Sequence, residues 1–269
     1  AMIPNILSIA GSDPSGGAGI QADLKAISAT GGYAMAAITA LTAQNTQGVR
    51  AVQMIEPAMV TAQIAAIRAD ITLHAVKIGM LGTPPIIRAV MNALDGLDVP
   101  IVLDPVMVAK SGDRLLLAAA VAALRAVLPH ATVITPNLPE AADLLGQPEA
   151  ISRDQMAAQA RALLALGPRA VLLKGGHLPG ADCPDLLAGP GGVTWLAGPR
   201  QITRKTHGTG CTLSSALACF LGHGLSLDQA AARAKDYVAR AIAHADALNV
   251  GLGHGPTHHF HAFPKDALT

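Results

Sequence analysis

The segment with the clearest chemical signal runs from Thr206 to Thr212 and reads Thr-His-Gly-Thr-Gly-Cys-Thr, directly ahead of an apolar stretch typical of a helix. Glycines at such a junction let backbone N–H groups converge on an anion, and the helix dipole adds to the attraction. Cys211 would lie in the first helical turn, where the pKa of a thiol is expected to fall below its usual ~8.5. Phosphoryl transfer needs a cradle of this kind and a group that accepts an alcohol proton. From spacing alone, a plain glycine turn with Cys211 as a small buried residue is an equally good interpretation.

Several apolar segments end in glycine or in a polar residue. The runs that end at residues 10, 78, 103, 135 and 173 lead into Gly11, Gly79, Asp104, Pro136-Asn137 and Lys174-Gly175. One such ending is ordinary loop chemistry, but five together favour a shared crevice, because ligands of open α/β sheets bind outside the carboxyl ends of the strands. Lys174 at such an end would suit the neutralisation of a phosphate, although a solvated lysine is the commoner case.

The pattern of apolar runs predicts the elements that must position these residues. Strands are expected at Asn5–Ala10, Ala34–Thr39, Val49–Ile55, Ala75–Ile78, Pro100–Leu103, Thr132–Thr135, Ala170–Leu173 and Val193–Leu196. Helices are expected at Gly19–Thr30, Met59–Ala69, Pro85–Leu94, Leu115–Leu128, Asp154–Leu166, Thr212–Leu221 and Leu227–Leu248. Alternation of this kind predicts an α/β fold with a mostly parallel central sheet covered by helices on both faces. We see no internal repeat or linker and expect residues 1–269 to form a single domain.

Composition excludes several classes of protein. Nineteen Lys and Arg residues face 18 Asp and Glu residues without a basic run, so we expect neither a nucleic-acid partner nor a membrane partner. The longest apolar run, Leu115–Leu124, is about half of what a membrane span requires. Three cysteines without a CxxC pair favour a reducing, cytoplasmic location. The sequence also has no GxxxxGK[ST] motif and no GxGxxG spacing, so neither a P-loop nor a dinucleotide fingerprint is supported.

At this point a series of motifs resembles the bacterial hydroxymethylpyrimidine/phosphomethylpyrimidine kinases of thiamine biosynthesis, within the ribokinase-like superfamily. The motifs, in order, are AGSDPSGGAGIQADLK (Ala10–Lys25), ITALTAQNTQGV (Ile38–Val49), KIGML (Lys77–Leu81), LDPVMVAKSGD (Leu103–Asp113), TPNLPEA (Thr135–Ala141), LLKGGHL (Leu172–Leu178) and THGTGCTLSSA (Thr206–Ala216). The resemblance implies a three-layer αβα kinase that uses ATP and Mg²⁺. Its substrates would be 4-amino-5-hydroxymethyl-2-methylpyrimidine and then the monophosphate of that alcohol. It also implies a homodimer.

The resemblance implies a role for each residue that matches a motif. Cys211, where most ribokinase-like kinases carry aspartate, would accept the proton, Lys174 would neutralise the migrating phosphate, and Gly208, Thr209 and Gly210 would form the anion hole. Substrate contacts would come from Gln44, Asp23, Met80 and backbone groups of Ala18 and Val106. Each of these has an ordinary alternative, such as a helix N-terminal acid for Asp23 and core filling for Met80. Because a cysteine can stay neutral, we also hypothesise that Cys211 permits phosphorylation of an acceptor that already carries a phosphate.

The resemblance also implies a metal site. Asn137 and Glu140 resemble the NxxE element that organises Mg²⁺ in the superfamily, and Asp104 at a strand end is a further candidate. Asn137 and Glu140 also have capping-box spacing, and the two roles can coexist. The histidines near the C-terminus have the composition of a metal tail, but we expect no metal there.

Three rival functions remain open at this stage. A pyridoxal kinase of the same superfamily is the nearest, since Cys211 does not separate the two and only Gln44 and Met80 favour the pyrimidine. A non-catalytic pyrimidine or nucleotide sensor is disfavoured by the presence of Cys211 and Lys174. A thiol enzyme with Cys211 as nucleophile would need a base, and His207 is the only near candidate.

Overall fold

The computed structural model describes residues 1–107, 119–264 and 266. Its strands are β1 (Asn5–Ala10), β2 (Tyr33–Ile38), β3 (Ala40–Asn45), β4 (Gly48–Met54), β5 (Ala75–Ile78), β6 (Ile101–Leu103), β7 (Val133–Ile134), β8 (Ala170–Leu173), β9 (Asp185–Gly189) and β10 (Gly192–Leu196). Its α-helices are α1 (Gly19–Ala29), α2 (Pro57–Asp70), α3 (Pro84–Ala93), α4 (Ala120–Val127), α5 (Leu138–Leu145), α6 (Arg153–Leu164), α7 (Thr209–Gly222) and α8 (Leu227–Ala243). Short 3₁₀ helices cover Leu128–His130 and Ala245–Ala247.

Within the described residues, eight strands form one central sheet in the order β10-β9-β8-β7-β6-β5-β1-β2, and β3 pairs with β4 in a separate antiparallel ribbon. The strands from β8 to β2 run parallel, whereas β9 and β10 are antiparallel additions at one edge. Their carboxyl ends therefore meet along one edge of the sheet, in the order of the strands. This confirms the prediction of a mostly parallel sheet.

Helices cover both faces of the sheet, and successive strand residues enter different cores. Leu7 and Ile9 of β1 belong to the core that α2, α3, α4, α5 and α6 complete on one face. Ile6 belongs to the core that α1, α7 and α8 complete on the other face. Strands buried on both sides need no polar alternation, which explains the continuous apolar runs of the sequence. The three-layer αβα architecture is confirmed.

The elements that the sequence analysis missed are those with weak patterns. The sequence of β3, Ala40–Asn45, is half polar because the ribbon lies outside the main sheet, and the short β9, Asp185–Gly189, follows a proline. The sequence analysis identified the capping-box spacing at Asn137 but did not predict helix α5, which begins directly after that residue. Helix α8 ends at Ala243, earlier than predicted. Residues 108–118, which include the end of one motif and the start of one predicted helix, lie outside the described residues.

Candidate active site

A cavity of about 1080 Å³ opens at the carboxyl edge of the sheet. Twelve of the thirteen predicted site residues line it, which are Cys211, Lys174, Gly208, Thr209, Gly210, Gln44, Met80, Ala18, Val106, Glu140, Asp104 and Asn137. The order of the strands in the sheet determines the order of these residues along the cavity, because Lys174 follows β8, Asp104 follows β6 and Met80 follows β5. The fold therefore brings the predicted phosphate-handling and substrate-handling residues to one crevice.

Asp23 is the predicted residue that does not line the cavity. Its side chain is fully buried, and its two oxygens accept hydrogen bonds from Lys77 at 2.8 and 2.9 Å, from Ser8 at 2.6 Å and from Ser215 at 2.7 Å. A carboxylate with these four interactions has little remaining acceptor capacity. The geometry thus corrects the expectation that Asp23 contacts the substrate, since the carboxylate is committed to Lys77 and two serines.

The glycine loop ahead of α7 depends on one position that only glycine can occupy. Gly208 has φ +77°, and a Cβ at this residue would lie 1.8 Å from the carbonyl oxygen of Gly17. Helix α7 begins at Thr209, so Gly210 and Cys211 lie in its first turn, where backbone N–H groups have no acceptor within the helix. These are the N–H groups that are predicted to form the anion cradle. The helix that carries them begins three residues earlier than the sequence indicated.

Lys174 lies directly against this cradle. A Cβ at Gly210 would be 3.1 Å from the Lys174 Nζ and 3.7 Å from Asp104 Oδ2. Burial by itself would lower the pKa of Lys174, but the carboxylates of Asp104, Glu140 and Asp185 raise it above its ordinary value. The ammonium group therefore stays charged beside the N–H groups of α7, where a phosphate would meet both.

Cys211 is half-buried, and the pKa of its thiol is higher than the sequence predicted. Burial raises the pKa of the Cys211 thiol to about 11, although Lys77 opposes this effect. The sequence-based expectation of a lowered pKa at a helix N-terminus is wrong, because desolvation of the thiolate outweighs the attraction of the helix. The backbone of Gly19, the first residue of α1, also acts on the sulfur and favours the thiolate. Two helix N-termini therefore meet at a sulfur atom that keeps its proton at neutral pH.

Sequence reasoning missed a hydrogen-bonded contact between Asp13 and His207 that joins the two glycine loops. Asp13 Oδ2 lies 2.9 Å from His207 Nε2. The same carboxylate accepts hydrogen bonds from the N–H groups of Ser15, Gly17 and Ala18 and from the Ser15 hydroxyl. Burial alone would raise the pKa of Asp13, but hydrogen bonds from His207 and Ser15 lower it to about 2. An aspartate three residues after a strand, followed by a glycine-rich turn, was the available signal for such a clamp.

The C-terminal segment closes over the same loop. His207 N–H donates to the Gly255 carbonyl at 3.0 Å, and His254 N–H donates to the Thr46 carbonyl at 2.8 Å. His259 Nε2 lies 2.9 Å from the Thr212 hydroxyl and is buried. Burial lowers the pKa of His259 to about 4, so this residue is neutral and structural. Within the described residues no group of three or more His, Cys, Asp or Glu side chains is arranged to hold a metal ion.

Two of the three predicted metal-site residues form the cap of α5. The Asn137 side chain accepts from Glu140 N–H at 2.8 Å, and Glu140 Oε1 accepts from Asn137 N–H at 2.9 Å. Burial raises the pKa of Glu140 to about 7, with Lys174 acting in the opposite direction. Asp104 is buried, and its Oδ1 atom has no hydrogen-bond partner among the described residues. The cap is thus shown, and Asp104, which lines the cavity, is left with an unused acceptor.

The cavity continues along β9 and β10, where sequence reasoning assigned no residues. The guanidinium of Arg200 donates to the carbonyls of Gly176, Leu178 and Gly180 and holds the loop that follows β8. Lys235 pairs with Asp185 at 2.9 Å.

No helix in the described part of the chain is long and apolar enough to cross a bilayer.

Comparison with known proteins agrees with this geometry. The sequence profile of a family described as phosphomethylpyrimidine kinase matches residues 13–258. A hydroxymethylpyrimidine/phosphomethylpyrimidine kinase of Salmonella typhimurium is 52% identical over 261 residues, which cover 96% of this chain and 98% of the relative. The enzyme of the same name from Rhizobium meliloti is 50% identical, with 97% and 98% covered.

Solved structures show the same architecture. Bacillus subtilis pyridoxal kinase in complex with ADP has a TM-score of 0.88 at 36% identity, covering 96% of this chain and 98% of that one. Phosphomethylpyrimidine kinase of Clostridium difficile has a TM-score of 0.79 at 42% identity, covering 90% and 100%. These neighbours place the chain among the ribokinase-like small-molecule kinases, as predicted.

Within that class, the chain belongs to the phosphomethylpyrimidine kinase family. It is therefore an enzyme, a phosphotransferase. The relatives confirm the prediction of a bifunctional pyrimidine kinase of thiamine biosynthesis and favour it over pyridoxal kinase.

Proposed function

We propose that this chain transfers the γ-phosphoryl group of ATP to the hydroxymethyl oxygen of 4-amino-5-hydroxymethyl-2-methylpyrimidine, and then phosphorylates the monophosphate. The observation that carries this proposal is the approach of Lys174 to the first turn of α7, where the Nζ lies 3.1 Å from the Cβ position of Gly210. A lysine and several N–H groups around one point stabilise the spread negative charge of a migrating phosphoryl group. ATP use is supported by the kinase family and by the ADP complex of the Bacillus subtilis neighbour.

Cys211 accepts the proton of the attacking hydroxyl in its thiolate form. The oxygen forms a bond to the γ-phosphorus, the bond from that phosphorus to the bridging oxygen breaks, and ADP leaves with the electron pair. Because the pKa of Cys211 is about 11, only about one molecule in 10⁴ carries the thiolate at pH 7. In a loose transition state the hydroxyl proton leaves late in the phosphoryl transfer. A thiolate that is present in few molecules but is strongly basic is therefore compatible with the reaction.

The other end of the cavity holds the pyrimidine. The Gln44 side chain offers a donor and an acceptor side by side, which match a ring nitrogen and its neighbouring amino group. Met80 is almost fully buried, and its Cε lies 3.3 Å from the Cβ position of Gly11, so glycine at residue 11 leaves room for the thioether beside a ring. Backbone groups of Ala18 and Val106, which also line the cavity, complete the contacts.

Mg²⁺ fits beside Lys174, where Asp104 Oδ1 is a buried acceptor without a partner. Asp104 and Glu140 would hold the ion through water, and Asn137 would keep Glu140 in place through the helix cap. When bound with ATP, Mg²⁺ neutralises phosphate charge. Lys174 and the N–H groups of α7 supply the remaining stabilisation from the protein.

We further propose that the enzyme is a cytoplasmic homodimer of single-domain chains. The three cysteines, all of which the structure describes, form no disulfide bond. Exposed apolar side chains on β2, β3 and β4, namely Tyr33, Leu41 and Val52, offer a surface for a second copy. Sedimentation at increasing protein concentration tests the dimer, and a monomer at the highest concentration refutes it.

One assay tests the proposed reaction directly. ADP release is measured in parallel with the pyrimidine alcohol, its monophosphate and pyridoxal, for the wild type and for Cys211→Ala and Lys174→Met. We expect both pyrimidines to be turned over faster than pyridoxal, and both variants to lose at least about 100-fold in kcat. Activity with pyridoxal alone, or full activity of either variant, contradicts the assignment.

A further inference from the structure

Beneath the cavity lies an ion pair that the proposed mechanism does not use. Lys77 in the centre of the sheet pairs with Asp23 of α1 at 2.8 Å, and both side chains are completely buried. Replacement of such a pair by well-packed apolar residues is often neutral or stabilising, because two charges must leave water. Stability alone therefore does not explain why a lysine stands in the fully buried strand β5.

The ammonium of Lys77 is fixed in one place. It contacts both oxygens of Asp23, which are in turn held by the hydroxyls of Ser8 and Ser215. A Cβ at Gly79 would lie 2.9 Å from the Lys77 Nζ, so the absence of a side chain at residue 79 makes room for the ammonium. Burial by itself would lower the pKa of Lys77, but Asp23 raises it, so the group stays protonated.

Two helices place this fixed charge under the Cys211 thiol. Ser215 follows Cys211 by four residues in α7, and Asp23 follows Gly19 by four residues in α1, so each pair shares one face of its helix. Gly19 acts on the Cys211 thiol and Asp23 accepts a hydrogen bond from Ser215, so the two helices meet at two levels one turn apart. Lys77 hydrogen-bonds Asp23, the residue at the deeper of these two contacts, and also lines the cavity that Cys211 lines.

We infer that Lys77 is a positioning residue for phosphoryl transfer, whose buried ammonium faces the negative charge that Cys211 acquires and makes the thiolate accessible to the reaction. This inference rests on the proposed role of Cys211 as proton acceptor. Three charged groups act on that sulfur: Lys77 favours the thiolate, while Asp23 and Asp104 disfavour it. Lys77 lines the cavity together with Cys211 whereas Asp23 does not, so the cation is the member of the pair that the site presents to the thiol.

The test measures the reactivity of the thiol itself. The rate of alkylation of Cys211 by iodoacetamide is followed between pH 7 and pH 10, and the background from the other two cysteines is taken from Cys211→Ser. The variants are Lys77→Met, which leaves Asp23 without a partner, and Lys77→Met/Asp23→Asn, which removes both charges. We expect the wild type to react fastest, the double variant more slowly and Lys77→Met most slowly.

The size of the effect follows from thiolate chemistry. A rise of one unit in the thiol pKa reduces the thiolate about tenfold, but the remaining thiolate is more nucleophilic, so alkylation slows about threefold per unit. We expect Lys77→Met to react at least about threefold more slowly than the wild type. Its kcat should fall about tenfold with little change in KM, because the interaction acts on the reacting group rather than on substrate binding.

A merely structural role predicts the opposite sign. Loss of packing around Lys77 would expose the half-buried thiol and accelerate its alkylation, so equal or faster reaction of both Lys77 variants overturns the inference. Ser215→Ala is the matched control, because it disturbs the same cluster without a change in charge and should leave the rate unaltered. If Lys77→Met does not fold, the double variant decides the test, since it leaves no unpaired buried charge.

The alkylation assay is independent of the proposed catalytic role. If the expected order of rates is found but Cys211→Ala keeps full kinase activity, the contact between Lys77 and Cys211 stands while the proposed role of Cys211 fails. In that case the role of Lys77 in the reaction is also refuted. If Cys211→Ala is inactive and the order is not found, only the inference about Lys77 is overturned.

Discussion

Gly210→Ala offers a sharp test of the anion cradle, because its effects on stability and on activity should have opposite signs. Gly210 lies in the first turn of α7, and its backbone needs no positive φ. Alanine is a better helix former than glycine by up to about 1 kcal/mol, so the substitution should leave the free energy of unfolding unchanged or raise it. The introduced Cβ, however, would lie 3.1 Å from the Lys174 Nζ.

The cost to activity follows from that distance. A contact of 3.1 Å is tight enough that the ammonium must move by a few tenths of an ångström. Misplacement of a catalytic group by about 1 Å costs about 100-fold, so we expect kcat to fall about tenfold. The carboxylates around Lys174 restrict where the ammonium can go, which makes compensation by a new rotamer unfavourable.

The assay compares ADP release at saturating ATP and pyrimidine alcohol with thermal unfolding of the same preparations. Gly191→Ala is the matched control, because a Cβ at that surface residue would meet nothing within 4 Å, and both quantities should match the wild type. The reasoning is refuted if Gly210→Ala keeps kcat within about twofold of the wild type. A fall in kcat accompanied by a lower melting temperature would also refute it, since that would indicate general damage to the helix.

Three further predictions concern the loop clamp, the base and the substrate pocket. Asp13→Asn should lower the free energy of unfolding by about 2 kcal/mol at pH 7, because the folded-state pKa of Asp13, about 2, lies below the ordinary value of 3.8. The difference in the free energy of unfolding between wild type and variant should vanish as the pH falls from 4 to 2, which acid denaturation curves measure. Cys211→Asp should reduce phosphorylation of the monophosphate more than that of the alcohol, since an anionic aspartate repels the phosphorylated acceptor, and equal losses in the two ADP-release assays would contradict this. Gln44→Met should weaken kcat/KM for the pyrimidine more than for pyridoxal, and the reverse ranking would count against the proposed pocket.

The location of the site was largely predictable because the carboxyl ends of parallel strands converge, whatever the details of the loops. Asp23 shows where sequence reasoning was incomplete. Ile20, Asp23 and Ile27 share the buried face of α1, and that spacing alone indicates a buried carboxylate in need of a cation. Lys77, charged in the middle of an apolar strand, is the matching anomaly. Each residue is ordinary by itself, and only the pair predicts a buried ion pair.

The pKa of Cys211 could not have been predicted from local sequence. A position in the first turn of a helix favours the thiolate, but desolvation depends on what packs around the sulfur, and α1 is about 190 positions away along the chain. The acceptor of the proton and its electrostatic surroundings therefore arise from tertiary contacts. The same holds for Arg200 and Lys235, whose partners come from the separate elements around β9.

The charges around Lys174 bear on the need for a divalent cation. Three carboxylates, those of Asp104, Glu140 and Asp185, act on this one ammonium group and offset part of its positive charge. Burial and the carboxylate of Asp104 raise the pKa of Glu140 to about 7, against the opposing effect of Lys174. A bound cation would relieve this crowding, which supports the proposed place of Mg²⁺ beside Asp104.

Asp104→Asn separates this interpretation from a simpler one in which Asp104 only neutralises Lys174. If the carboxylate serves the cation, the variant should bind ADP more weakly than the wild type when Mg²⁺ is present, by about tenfold for the loss of one charged contact. If the carboxylate only neutralises Lys174, its removal should strengthen ADP binding with or without Mg²⁺. Calorimetric titration of ADP with Mg²⁺ and with EDTA measures both cases. Tighter binding of ADP by Asp104→Asn under both conditions would refute a metal-holding role, because the lysine would then bind the phosphates better without its carboxylate.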